Sequence, residues 1–101
     1  MGLSVVLLDC NGKVLDRIDD PRNFLHKLLP PADEGSQGVL SKIDWYGDTY
    51  FNYLQIRSFL AEWASLMKRA RSAEEQTLVT KIKELASLCE KDRDILRFIG
   101  D

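Results

Sequence analysis

Ten residues near the middle of the chain carry the side chains best suited to hold another molecule: Asp44-Trp45-Tyr46-Gly47-Asp48-Thr49-Tyr50-Phe51-Asn52-Tyr53. Five of the nine aromatics in the 101-residue sequence fall in this stretch, interleaved with two acids, a glycine and an asparagine. Trp and Tyr supply large contact areas at small entropic cost and concentrate at interface hot spots. Asp44 and Asp48 add charge, and Asn52 adds orientation. The candidate binding set is therefore Asp44, Trp45, Tyr46, Asp48, Tyr50 and Asn52. A purely structural reading stands beside it, in which Gly47 makes a turn and Asp48 caps the bend through its side chain. Successive residues of a strand point to opposite faces, so Trp45 parts from Tyr46 and Tyr50 from Phe51. Part of the cluster is core whatever it binds.

Other chemistry is thinly represented. Asp44 and Asp48, with Asp9, are oxygen donors for a hard cation, but no EF-hand spacing is present and solvation is the simpler fate. No metal or cofactor is expected. His26 is the single histidine, and its nearest acids, Asp19 and Asp20, are spaced for capping a helix. Cys10 follows an acid, which raises a thiol pKa, and Cys89 continues an apolar helical stripe. Neither cysteine has a partner at metal-ligand spacing. The nucleophile elbow, zincin, P-loop and dinucleotide signatures are absent. Lys68, Arg69 and Arg71 crowd a helix end, where the helix dipole explains them.

The elements that position these residues follow from periodicity. Leu3–Leu8 and Lys13–Ile18 are apolar runs around Asn11-Gly12, the signature of a hairpin with a type I′ turn; strands are expected over 3–9 and 13–18. Asp20-Pro21 opens a short helix over 21–29, ended by Pro30-Pro31. Residues 30–38 read as a loop. Val39–Ile43 resumes strand character, and a hairpin pairing 39–45 with 49–52 is expected. Ile56, Phe59, Leu60, Trp63, Leu66, Met67 and Ala70 recur at spacings of three and four, the stripe of an amphipathic helix. Ser72 and Glu75 form a capping box for a third helix ending near Glu90, with Leu78, Val79, Ile82, Leu85, Ala86 and Cys89 on one face. The short link between these helices demands an antiparallel pair. Ile95–Ile99 is a last strand. The order β-β-α-β-β-α-α-β over one domain, residues 1–101, predicts an α+β fold: a small, mostly antiparallel sheet of about five strands, with a short helix and a helical hairpin packed on one face.

The formal charge is −2. Residues 9–48 carry eight acids against five bases, and residues 49–101 eight against nine. Nothing in this balance suits nucleic acid, and the acid-rich half suits a basic partner. The apolar start, Leu3–Leu8, is too short for a signal h-region or a membrane span, so no membrane association is expected.

Taken together, Asp44, Tyr46, Gly47, Asp48, Thr49, Phe51, Asn52 and Gln55 form a D-x-Y-G-D-T-x-F-N-x-x-Q pattern. It resembles a family of small bacterial proteins without known activity. The resemblance extends to the opening strand–Asn-Gly–strand and to the closing Leu96-Arg97-Phe98-Ile99-Gly100-Asp101. It implies a bacterial single-domain soluble protein and carries over no site residues.

These readings converge on a non-enzymatic protein-binding module of the bacterial cytosol, of which an immunity or antitoxin-like protein masking a basic toxin domain is the concrete form. A small hydrolase or ligand-binding enzyme using Asp44, Asp48, Tyr46 and His26 is the alternative, and it needs those groups to converge. A structural homodimer, formed through a sheet edge or the aromatic face, is a third.

Overall fold

The computed structural model describes residues 3–29, 38–44 and 46–100. Four strands form one antiparallel sheet: β1 (Ser4–Leu8), β2 (Val14–Asp19), β3 (Asp48–Asn52) and β4 (Ile95–Ile99), in the order β2-β1-β4-β3. Three helices complete it: α1 (Phe24–Leu28), α2 (Tyr53–Arg69) and α3 (Ala73–Asp92). The α+β architecture expected from the sequence is the one observed.

The first hairpin departs from its expected turn. Type I′ needs positive φ at both central residues. Gly12 has φ 85°, but Asn11 is not in the left-handed region. Asp9 instead organises a wider turn. Gly12 N–H donates to Asp9 O, and the Asp9 carboxylate accepts from the Asn11 and Lys13 amides at 2.9 and 2.8 Å. That engagement accounts for Asp9 without a cation. The register then shifts between Leu7 and Leu8, a bulge in the β1–β2 ladder.

The short first helix begins later than expected, at Phe24, after Asn23 in the left-handed region at φ 58°. Asp20 still caps it, from four residues upstream: its carboxylate accepts from Phe24 N and Leu25 N at 2.9 and 2.8 Å. Pro21 therefore lies in the turn and not at the first helical position.

Among the described residues of 39–45 the expected strand does not form. Leu40–Lys42 is a single 3-10 turn. Leu40 and Ile43, three apart, are both buried, which is what a tight helical turn does with that spacing. β3 pairs instead with β4, Phe51 opposite Leu96 and Tyr50 opposite Arg97. Of the loop expected over 30–38, only Gly38 lies within the described residues.

α2 and α3 match their stripes. α2 starts at Asn52, whose side-chain oxygen accepts from Leu54 N and Gln55 N while Gln55 returns a bond to Asn52 N. α3 starts at Ser72 with the expected Ser72–Glu75 box. Trp63 Nε1 donates to Val79 O at 2.9 Å; both residues lie equally far from Arg71, as an antiparallel pair requires.

The core lies between the sheet and the helices. Phe51, Phe59, Trp63 and Phe98 are at most 2 % exposed and pack ring to ring, with Phe59 stacked on Trp63 at 5.0 Å between centroids. Burying each such side chain stabilises the fold by roughly 1.5–3 kcal/mol. Leu3 and, in β1, Val5 and Leu7 face this core. By alternation Ser4, Val6 and Leu8 face away from it.

Candidate functional site

The helices occupy one side of the sheet, and no described helix covers the other. The register arranges that second face as three rows across the strands. These are Asp19–Ser4–Ile99–Asp48, Arg17–Val6–Arg97–Tyr50, and Val14–Leu8–Ile95–Asn52. Three of the sequence-derived candidates, Asp48, Tyr50 and Asn52, thus fall on one face of edge strand β3. Their neighbours Thr49 and Phe51 point to the helices, and Phe51 is 2 % exposed. Alternation has divided Tyr50 from Phe51 as expected.

The centre of this face is Arg97. It is the one charged residue in the otherwise apolar β4, and it stands on an interior strand. One guanidinium nitrogen donates to Asp48 Oδ2 at 2.5 Å, and the group lies over the Tyr50 ring, 5.4 Å from its centroid. The hydrogen bond to Asp48 raises the Arg97 pKa above its ordinary value, so the cation is firmly kept. Tyr50 remains half exposed beside it. A guanidinium held over a tyrosine ring and fixed at one end by a carboxylate is a preorganised contact. Arg97 Nε is buried and has no hydrogen-bond partner among the described residues.

A second charged group closes the far end of the rows. Ser4 Oγ donates to Asp19 Oδ1 at 2.7 Å, and Arg17 Nε lies 2.9 Å from the same oxygen. The Ser4 hydrogen bond first, then Arg17, holds the Asp19 carboxyl below the usual carboxylate range. Between the two arginines sits Val6, 2 % exposed although it faces away from the helices. Arginine stems flanking an apolar residue shield it while their heads reach water.

Asp44 and Tyr46 form the approach to β3. Asp44 Oδ1 accepts from Tyr46 N at 2.9 Å, and Asp44 N donates to Thr49 Oγ1 at 2.8 Å. A Cβ on Gly47 would stand 2.7 Å from Asp44 Oδ2, so glycine is required for the carboxylate to fold back over the turn. Asp44, not Asp48, is thus the residue that caps the bend. Tyr46 is thrown outward, 86 % exposed. Asn52, read as an orienting group, has its side-chain oxygen engaged by the α2 cap. Trp45 lies outside the described residues.

Asp48 projects from the face opposite the helices, whereas His26 sits on α1, whose Leu25 and Leu28 pack into the core on the helical side. Cys89 is fully buried, donates to Asp94 O at 3.2 Å, and burial pushes its thiol up to about 12. A thiol held protonated in this way is no nucleophile. Cys10 is exposed on the hairpin turn. No group of three metal-ligating side chains occurs among the described residues. No described helix is long and apolar enough to cross a membrane.

Two residues of the arrangement were not singled out from sequence. Arg97 carried a signal, a lone cation inside an apolar run of five. Glu62 carried less, as one polar residue on the outer side of α2. Its carboxylate accepts from Val39 N and Leu40 N at 2.8 and 3.2 Å, clasping the 3-10 turn. Gly38, at φ 102°, lies so close to that carboxylate that a Cβ would meet it at 2.5 Å. The clasp sets where the chain enters Asp44 and β3.

No family model matches this chain, and neither the curated proteins nor the solved structures yield a match.

Proposed function

We propose that this chain is a non-enzymatic protein-binding module whose partner docks on the uncovered face of the sheet. The observation that carries the reading is the preorganised trio Asp48–Arg97–Tyr50. It combines an exposed aromatic with a cation fixed on an interior strand. Tyr and Arg are the residue types that dominate interface energetics, most of all when packing has already fixed their geometry. Tyr46 and Asp44 at the adjoining turn extend the patch, with Trp45 the neighbouring aromatic in sequence. The concrete form of the reading is an immunity or antitoxin-like protein of the bacterial cytosol that masks a basic toxin domain.

The test is capture of a partner from lysate of the source cell by wild-type protein and by Tyr46→Ala and Tyr50→Ala. Both tyrosines are exposed, so the thermal melts of the variants should stay within a degree or two of wild type, since surface changes stay within about 0.5 kcal/mol. Binding should weaken by roughly tenfold or more at Tyr50, the loss of one hot spot. Undiminished capture by both variants would move the interface elsewhere. Light scattering at two concentrations separates a partner of another kind from a second copy of the chain.

A further inference from the structure

At the opposite edge of the sheet, β2 and α3 do not close against each other. A trough runs between them, formed by adjoining cavities of about 410 and 480 Å³ that share Ile18, Asp19 and Lys81. Its floor is apolar, with Ile18 from β2 and Leu78, Leu85 and Leu88 from α3; Leu88 is 44 % exposed. Beside the floor lies a free strand edge. Asp20 N donates to Leu3 O, so alternation along an antiparallel strand turns the main-chain groups of Asp16 and Ile18 toward β1, and those of Arg17 and Asp19 outward. A strand added there would bond to Arg17 and Asp19 and lay alternate side chains over Ile18 and Leu88. An edge with side-chain room alongside is the geometry of recognition by strand addition.

We propose that this trough takes an extended segment of another protein as a fifth strand, and that among the residues the segment turns toward α3 the one over Ile18 is apolar and the one over Asp16 is lysine or arginine. Charge selects the occupant. The lining holds five acids, Asp16, Asp19, Asp20, Glu74 and Glu84, against Arg17, Arg22 and Lys81. Two of the three cations are already paired, Arg17 with Asp19 and Arg22 with Glu74. Asp20 is engaged by α1. Asp16 and Glu84 remain against Lys81, an excess that a basic segment answers and an acidic one does not. A second copy of the chain would bring the same acid-rich rim against itself.

Asp16 also guards the edge. Its Oδ1 accepts from Arg17 N at 2.7 Å, the outward amide that an added strand must use. An acid turned toward the helical side and a bulge at the preceding Leu15 are devices that keep an edge from pairing with any passing strand. An incoming lysine draws this carboxylate away and releases the amide, so the guard opens to a basic segment.

The experiment is an NMR titration of the ¹⁵N-labelled chain with the peptide acetyl-Val-Thr-Lys-Thr-Val-amide, whose lysine and valines share one strand face. Two controls are its counterpart with glutamate for lysine and a copy N-methylated at every residue. The amides of Arg17, Asp19, Lys81 and Leu88 should shift and saturate with the lysine peptide. The glutamate and N-methyl peptides should bind at least about tenfold more weakly, through charge and through the lost ladder bonds. Leu88→Arg, at an exposed position, should weaken the lysine peptide similarly while leaving the spectrum folded; Tyr50→Ala should change nothing, which separates this surface from the sheet face. Equal binding of the lysine and glutamate peptides, shifts confined to Tyr50 and Arg97, or no saturable shift in the millimolar range overturns the proposal. So do concentration-dependent shifts at Arg17 and Asp19 without peptide, which assign the edge to a second copy.

Discussion

β2 and β3 are the two edges of one sheet, nearly equal in length, and both read as polar strands, yet they are held in different ways. β3 is pinned through its middle by Phe51, which packs against Phe59 and Phe98, and it runs directly into α2 through the Asn52 cap. β2 has no buried residue: only Ile18 is half covered, and it leaves through the Asp20 turn into a five-residue helix. One large apolar anchor draws the helical layer down onto β3. Its absence at β2 leaves the trough. The contrast shows that side-chain size at a single inward position decides whether an edge is sealed or retains room beside it.

The largest effect expected from this contrast is a stability difference between the anchors. Phe51→Ala should cost about 3–5 kcal/mol and Ile18→Ala only about 1, because the first opens a cavity in a packed core and the second trims a half-exposed side chain. Urea unfolding of both variants measures it, and equal losses would break the distinction between the edges. A smaller effect is expected where β3 passes into α2. Asn52→Ala removes the acceptor of Leu54 N and Gln55 N and should lower stability by about 1 kcal/mol, with Asn52→Asp nearly neutral. A wild-type melt for the alanine variant would mean that the strand, not the cap, fixes the start of the helix.

The smallest effect concerns β2 and acid. Asp19 is held below the usual carboxylate range by Ser4 and Arg17. A carboxyl with a depressed folded pKa contributes stability that is present above its unfolded value, near 4, and is lost as pH falls through the folded value beneath it. Denaturation curves for wild type and Asp19→Asn should therefore agree in slope near neutral pH and diverge below about pH 4, the variant losing less as acid is added. Identical acid profiles would show that the group on this edge is too well solvated to matter.

The helical half of this fold was open to reading because its signals are periodic and local. The stripe of Ile56, Phe59, Trp63 and Leu66 and the Ser72–Glu75 box each report on neighbours within one or two turns. The error over 39–45 arose where composition and period disagreed. Val39, Leu40 and Ile43 are the residue types of a strand, but Leu40 and Ile43 are three apart, and it was spacing that decided. The Asn11-Gly12 turn was misassigned because Asp9, which captures two amides, lies outside the dipeptide that suggested type I′. At the candidate site, division of the aromatics between two faces followed from alternation, so Tyr50 and Phe51 separate as expected. What composition hid was long-range. Asp48 meets Arg97 only because β3 pairs with a strand nearly fifty residues later, and Glu62 reaches Val39 back across α2. Neither pairing leaves a mark on the local pattern beyond the isolated charge at Arg97.

The position of β4 in the sheet carries a consequence for biosynthesis. Of the four strands it is furthest along the chain, yet it lies between β1 and β3. While a ribosome is still adding residues before Ile95, the β1–β2 hairpin and β3 have no strand to join them, and the uncovered face lacks Arg97. Ser4 waits for Ile99, and Tyr50 for Arg97. Pairings this distant are slow to form and leave edges unmatched in the meantime. A nascent or truncated chain therefore offers a split platform, and only one carried through β4 can present tyrosine, guanidinium and carboxylate together on one face of the sheet. The surface doubles as a certificate that translation has passed the last strand.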